Sequence, residues 1–197
     1  IVDLARRFDA WTYVDDAHAV GAVGEGGRGS ASAAGLHGNI DIAVGTLGKA
    51  FGVAGAFVYG SASLTSYMLN RARSFVFSTA MMPAQAAASR EALRIVGAEP
   101  ELRERLAANA RSLRQSLIGA ALSPMGIESH IVPVSVGDQA TTMRVAAALA
   151  ARGYLVGAVR PPTVPDGTSR LRITVSAAHT DEHIRGFVDA LAVAVRG

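Results

Sequence analysis

Residues 11–29 read WTYVDDAHAVGAVGEGGRG and residues 40–52 read IDIAVGTLGKAFG. Each opens on a short run rich in β-branched or aromatic residues, WTYVD at 11–15 and IDIAVGT at 40–46, and then passes into small residues. Such runs predict buried strands. Segment 17–38, rich in Gly, Ala and Ser and carrying His18 and Arg28, predicts a long loop with a turn of helix. Loops of that length inside a compact domain tend to be functional. Further out, the pattern alternates. A helix tail over 1–10 precedes the first strand, and GAFVY at 55–59 makes a third strand. A helix follows at 61–72, then an extended FVF at 75–77, then a helix at 83–97 opened by Pro83, a favoured first-turn residue.

At Pro100 the pattern changes. Leu102, Leu106, Ala110, Leu113 and Leu117 recur at helical spacing among arginines. Strands are expected at 130–136, 154–159 and 169–175, with a helix at 141–152 and a proline-rich loop at 160–167. In the last strand Leu171, Ile173 and Val175 share one face and Arg170, Arg172 and Thr174 the other. Thr180 reads as the N-cap of a final helix whose buried stripe is Ile184, Phe187, Val188, Leu191 and Val195. The alternation of strands and helices predicts an α/β fold. A boundary near 97–101 divides residues 1–98 from 99–197.

Composition narrows the function classes. Half of the 197 residues are hydrophobic and 18% are charged, which fits a folded core and excludes a disordered tail or a coiled coil. No cysteine is present, so disulfides, thiolate zinc sites and cysteine nucleophiles are excluded. The formal net charge is +3, but the arginines are dispersed, which argues against a nucleic-acid surface. The uncharged stretch 50–70 is interrupted by glycines, serines and Asn70, and reads as a strand and a helix rather than a membrane span. No secretory signal is evident, and a cytoplasmic location is expected.

Two motifs favour structural readings. GEGGRG at 24–29 matches G-x-G-x-x-G, but it lies ten residues past the strand and Asp41 follows too early for a dinucleotide fingerprint. A flexible or hinge loop is the better reading. His179 and His183 are four apart but lack the glutamate of a zinc-protease helix, so a solvated helix start is favoured over a metal site. Lys49 stands apart, because the other 18 basic residues are arginines. Arginine supplies charge but not a nucleophilic amine. The glycines at 48 and 52 allow close approach to the backbone. A Schiff-base lysine and a surviving surface lysine are the two readings. Asp15 ends the preceding strand, where α/β sheets bind ligands. An acid and a lysine from consecutive strands meet the needs of pyridoxal phosphate, which requires an amine and a partner for its pyridine nitrogen. A turn cap is the competing role of Asp15.

Through VDDAHAVGAVGEGGRG (14–29), TLGKAFG (46–52), FVFSTAMMPAQ (75–85) and RLRITVSAAHT (170–180), the chain resembles the α-oxoamine synthases. These are fold type I pyridoxal-phosphate enzymes that join an amino acid to an acyl thioester with loss of CO2. The resemblance implies that residues 1–98 are the C-terminal part of the large parallel-sheet, cofactor-binding domain and 99–197 the small C-terminal α/β domain. It implies that Lys49 binds the cofactor, Asp15 pairs with the pyridine nitrogen, His18 with the phenolic oxygen and Thr46 with the phosphate. It places Ser78 and Thr79 at the phosphate of a partner subunit's cofactor, implying a homodimer. Thr163 would contact substrate and Arg172 would hold the amino-acid carboxylate, with Arg170 a surface ion-pair residue. The segments VRPPTVPDGTSRLR (159–172) and SHIVPV (129–134) are most similar to the branch that condenses L-alanine with a pimeloyl thioester, on coenzyme A or a carrier protein, toward biotin. The glycine-using branch is the alternative. Members are about twice this long, the unmatched half being N-terminal. A non-catalytic fragment is therefore a second alternative, and the chain alone is expected to be inactive.

Overall fold

A computed structural model describes residues 1–197. The chain divides into two units, Ile1–Arg103 and Glu104–Gly197.

In the first unit, helix α1 (Val2–Arg7) leads into strand β1 (Tyr13–Asp15). A long connection holds a 3-10 turn at Glu25–Gly27 and a single helical turn, α2 (Ser30–Ala33). Strands β2 (Ile42–Thr46) and β3 (Ala56–Gly60) follow, then α3 (Ala62–Arg71), α4 (Arg73–Val76) and α5 (Pro83–Ala98). The sheet order is β1-β2-β3. β1 runs parallel to β2 with Asp15 opposite Val44, and β3 runs antiparallel to β2. Thr12 and Asp41 clamp the start of the parallel pair. Asp41 Oδ2 accepts from the Thr12 backbone N–H at 2.8 Å and from its hydroxyl at 2.7 Å. Those bonds, the backbone one foremost, hold the Asp41 carboxyl below its ordinary range. β2 and β3 approach closely over Gly45, where a Cβ would fall 2.4 Å from the Phe57 ring.

The FVF run is not extended. Ala72 ends α3 in extended backbone, and its carbonyl accepts from Phe75 and Val76 N–H, closing the turn of α4. Aromatic and β-branched residues stabilise a strand only by packing on a neighbouring one, and no strand pairs here. The Arg73 guanidinium instead covers the Phe77 ring at 5.7 Å, as helical spacing allows.

In the second unit, the later turns of α6 (Pro100–Gly119) precede β4 (Ile131–Val134), α7 (Gln139–Ala150), β5 (Gly157–Val159), β6 (Arg170–Thr174) and α8 (Asp181–Arg196). The sheet is antiparallel, in the order β4-β6-β5. Its core is one cluster in which Leu113, Leu117, Val132, Val134, Val145, Leu149, Leu171 and Leu191 are essentially inaccessible. Residues 171, 173 and 175 face this cluster and residues 170, 172 and 174 face away. Asn109 is buried, and its amide donates to the carbonyls of Ser176 and His179 at 2.9 Å each. α7 begins two residues before its expected start because Asp138 caps it, accepting from Thr141 N–H at 2.7 Å. Thr180 caps α8 as its sequence position implies. No helix is long and apolar enough to cross a membrane.

Candidate active site

The carboxyl ends of the parallel strands β1 and β2 carry Asp15 and Thr46, and the turn after β2 carries Lys49. Backbone bonds shape that turn. Gly52 N–H donates to the Lys49 carbonyl at 3.1 Å, and Val53 N–H to the Leu47 carbonyl at 2.8 Å. Gly52 takes φ +65°, a left-handed conformation that suits glycine. A Cβ on Gly48 would meet only the Val53 carbonyl at 3.9 Å, and one on Gly52 would meet nothing within 4 Å, so the turn opens outward.

A row of hydrogen bonds joins the expected residues. Lys49 Nζ donates to Thr46 Oγ1 at 3.4 Å, and Thr46 Oγ1 donates to the Ala17 carbonyl at 3.3 Å. Ala17 N–H donates to Asp15 Oδ1 at 3.0 Å. Asp15, His18 and Lys49 are all exposed. His18 lies in the turn after β1, and Gly21 of the same loop sits on the Lys49 turn, where a Cβ would fall 2.7 Å from Ala50 Cβ. The first unit thus brings together Asp15, Thr46 and Lys49, with His18 in the turn that follows Asp15. An exposed amine, a hydroxyl and a carboxylate in this order are a donor set that fits pyridoxal phosphate, which needs an amine for its aldehyde and an acid for its ring nitrogen.

Asp16 is the residue that sequence reading missed. It is 5% exposed, against the exposed Asp15 beside it. Its Oδ2 accepts from Ser30 N–H at 2.8 Å, and its carbonyl accepts from Ala19 and Val20 N–H. Gly29 passes so close that a Cβ would lie 1.9 Å from Oδ2. GEGGRG is therefore no free hinge: Val20 and Arg28 bridge, and Gly29 N–H donates to the Val23 carbonyl at 2.8 Å. The signal was available in the doubled aspartate: strand alternation turns one carboxylate outward and the other inward, where it needs fixed donors.

Ser78 and Thr79 are exposed in the segment after α4, and the Ser78 hydroxyl donates to the Ser74 carbonyl. That segment continues to Met81, whose methyl group packs on Gly55, just beyond the Lys49 turn.

In the second unit, Thr163 is exposed in the loop after β5, its N–H bonded to the Arg160 carbonyl at 3.0 Å, and the Pro161–Pro162 peptide is cis. Arg172 stands half-exposed on the outer face of β6, opposite Pro133 and Gly157. Half-burial, and after it the Arg172 guanidinium, hold the His130 imidazole below its ordinary value. Arg170 makes no ion pair; its Nε donates to the Thr168 carbonyl at 2.9 Å, tying the loop to the strand.

His179 and His183 have backbone partners. His179 Nδ1 accepts from Ser176 N–H at 3.1 Å, and His183 Nδ1 accepts from Thr180 N–H at 3.2 Å, completing a capping box. The helix-start reading holds, with the imidazoles bonded to the backbone rather than only to water.

The family model described as aminotransferase class I and II matches residues 1–191. An 8-amino-7-oxononanoate synthase of Anaeromyxobacter dehalogenans is 46% identical over 197 residues, all of this chain and 50% of that protein. The chain spans about half the length of such relatives. A serine palmitoyltransferase from S. paucimobilis, solved with bound PLP and myriocin, superposes with a TM-score of 0.92 at 33% identity, over 99% of this chain and 50% of that one. An 8-amino-7-oxononanoate synthase from Francisella tularensis gives a TM-score of 0.86 at 25% identity, over 98% and 57%. With a lysine, an acid and a threonine gathered at the ends of its parallel strands, the chain belongs to the aminotransferase class I and II family and has the fold of the type I pyridoxal-phosphate enzymes.

Proposed function

We propose that this chain is the cofactor-lysine half of an 8-amino-7-oxononanoate synthase, which condenses L-alanine with a pimeloyl thioester and releases CO2. The observation that carries the reading is the hydrogen-bonded row from Lys49 through Thr46 and Ala17 to Asp15. The 46% identity to a relative of that name supports the alanine branch over the serine-using one, whose solved member is 33% identical.

Pyridoxal phosphate, when bound, supplies an electron sink for charge developing at the amino-acid α-carbon. Lys49 Nζ would hold its aldehyde carbon and, as a free amine, would take the α-proton of the substrate. Asp15 would keep the pyridine nitrogen protonated. His18 would donate to the phenolic oxygen, and the Thr46 hydroxyl would bind the phosphate. Arg172 grips the substrate carboxylate through its planar fork, and Thr163 presents a hydroxyl to the same substrate. Ser78 and Thr79 reach the phosphate in the partner subunit of a homodimer.

Borohydride reduction after incubation with pyridoxal phosphate tests the first role. Peptide mapping should find the label on Lys49, and Lys49→Arg should abolish it. Label confined to the N-terminal amine would remove the assignment. Substrate choice is tested by mixing the chain with the N-terminal half of the Anaeromyxobacter relative and assaying CO2 release from alanine, glycine and serine with pimeloyl-CoA. Alanine should lead; turnover led by glycine or serine would move the chain to another branch.

A further inference from the structure

In the second unit a cavity of about 410 Å3 opens between α6, α8 and the segment leading into β5. Its volume is in the range of small-molecule sites, roughly 300–1,000 Å3. Leu113, Tyr154, Val156, Ile173, Ile184 and Phe187 wall it, and His179 and His183 complete the lining. No Asp or Glu lines it; Asp181 and Glu182, in the first turn of α8, are exposed outside it. The wall is braced: Tyr154 meets Phe187 edge-on at 5.6 Å between centroids, and its hydroxyl lies where a Cβ on Gly186 would be, 2.6 Å away.

The imidazoles give this cavity its chemistry. Each Nδ1 accepts a backbone N–H, so the ring proton sits on Nε2. A metal-binding histidine has the opposite arrangement, in which the second nitrogen donates and the coordinating one is bare. These rings are therefore donors rather than ligands, and no cluster of three metal-binding side chains exists in the chain. Their ring centroids are 6.0 Å apart, with the planes at 80°, so both rings border the same cavity.

We propose that the cavity binds a small carboxylate with an apolar body, its oxygens held by the Nε2–H groups of His179 and His183 and its body by the wall of Tyr154, Val156 and Phe187. The site lies wholly within the second unit and does not rest on the function proposed above.

The test is a titration of the 197-residue chain with octanoate, followed by the side-chain 15N and 1H resonances of its five histidines. His179 and His183 should shift saturably while His18, His37 and His130 stay in place. Affinity should rise about fourfold per methylene from butyrate through hexanoate to octanoate, as burial of apolar chain requires. 1-Octanol, which lacks the second oxygen and the charge, should bind at least tenfold more weakly. His183→Gln keeps the cap, because a glutamine carbonyl at this position also accepts from the Thr180 N–H. It should weaken octanoate about tenfold with α8 intact by circular dichroism. Silence of both histidines, equal binding of octanol, or uniform movement of all five would overturn the proposal.

Discussion

At the scale of single residues, charge is managed by fixed backbone donors more than by ion pairs. Asp41 shows this: its carboxylate is held by Thr12, and its proton affinity is lowered accordingly. A carboxyl whose pKa is lower folded than unfolded stabilises the fold above its unfolded value. That contribution is lost as pH falls through the folded value. Asp41→Ala should therefore lower the melting temperature of the first unit at neutral pH, and the gap to the parent should close below the ordinary value of 3.8. Parallel melting curves with a constant gap down to pH 2 would show that the carboxylate charge has no part in the clamp. Arg172 acts in the reverse sense on His130, disfavouring a second positive charge beside it. Arg172→Gln should raise the His130 pKa toward 6.5 without reaching it, because half-burial remains. An NMR titration of the imidazole reads this directly, and an unmoved pKa would leave burial as the sole cause.

At the scale of elements, what could be read from sequence depended on whether a residue's partner lay nearby in the chain. The alternation over 170–175, the Thr180 cap and the strand–turn around Lys49 are short-range patterns, and the structure has them. The FVF run failed because a strand is defined by its neighbour, which no local pattern contains. Asn109 was invisible for the same reason: it reads as one more polar residue in α6, while its carbonyl partners lie 67 and 70 positions away. The candidate site divides likewise. Lys49 stood out by composition, whereas the inward turn of Asp16 became visible only with Ser30 and Gly29 packed against it. That packing makes Gly29 an exacting position of the loop. Its φ of +94° and the Asp16 oxygen leave no room for a methyl group. Gly29→Ala should cost roughly 1–3 kcal/mol in backbone strain alone. Hydrogen exchange should report loosening at Ser30 and at the Val20–Arg28 bridge, while β4 to β6 stay protected. Unchanged exchange at Ser30 would mean the loop has another route.

At the scale of the whole molecule, the two units differ in how much apolar surface they enclose. The first buries Val2, Ala43 and Phe51, while Phe8, Trp11, Tyr13, Phe75 and Phe77 remain exposed. The second encloses a continuous cluster drawn from all its major elements. Burial of apolar area is the main term holding a fold together, so the units should not open together. Amides of β1 to β3 should exchange well before those of β4, β6 and α8, and denaturant should give two transitions. One transition with uniform protection would contradict this. The strand order of the second unit also sets a timetable for synthesis. β6 lies between β4 and β5 and is made last of the three. While the chain grows, β4 has only the short bridge from Pro124 and β5 has no partner strand, and the sheet cannot close until Thr174 has emerged. A nascent chain stalled between Val159 and Arg170 holds both outer strands but not the strand that joins them, so the sheet closes in one step once β6 has emerged.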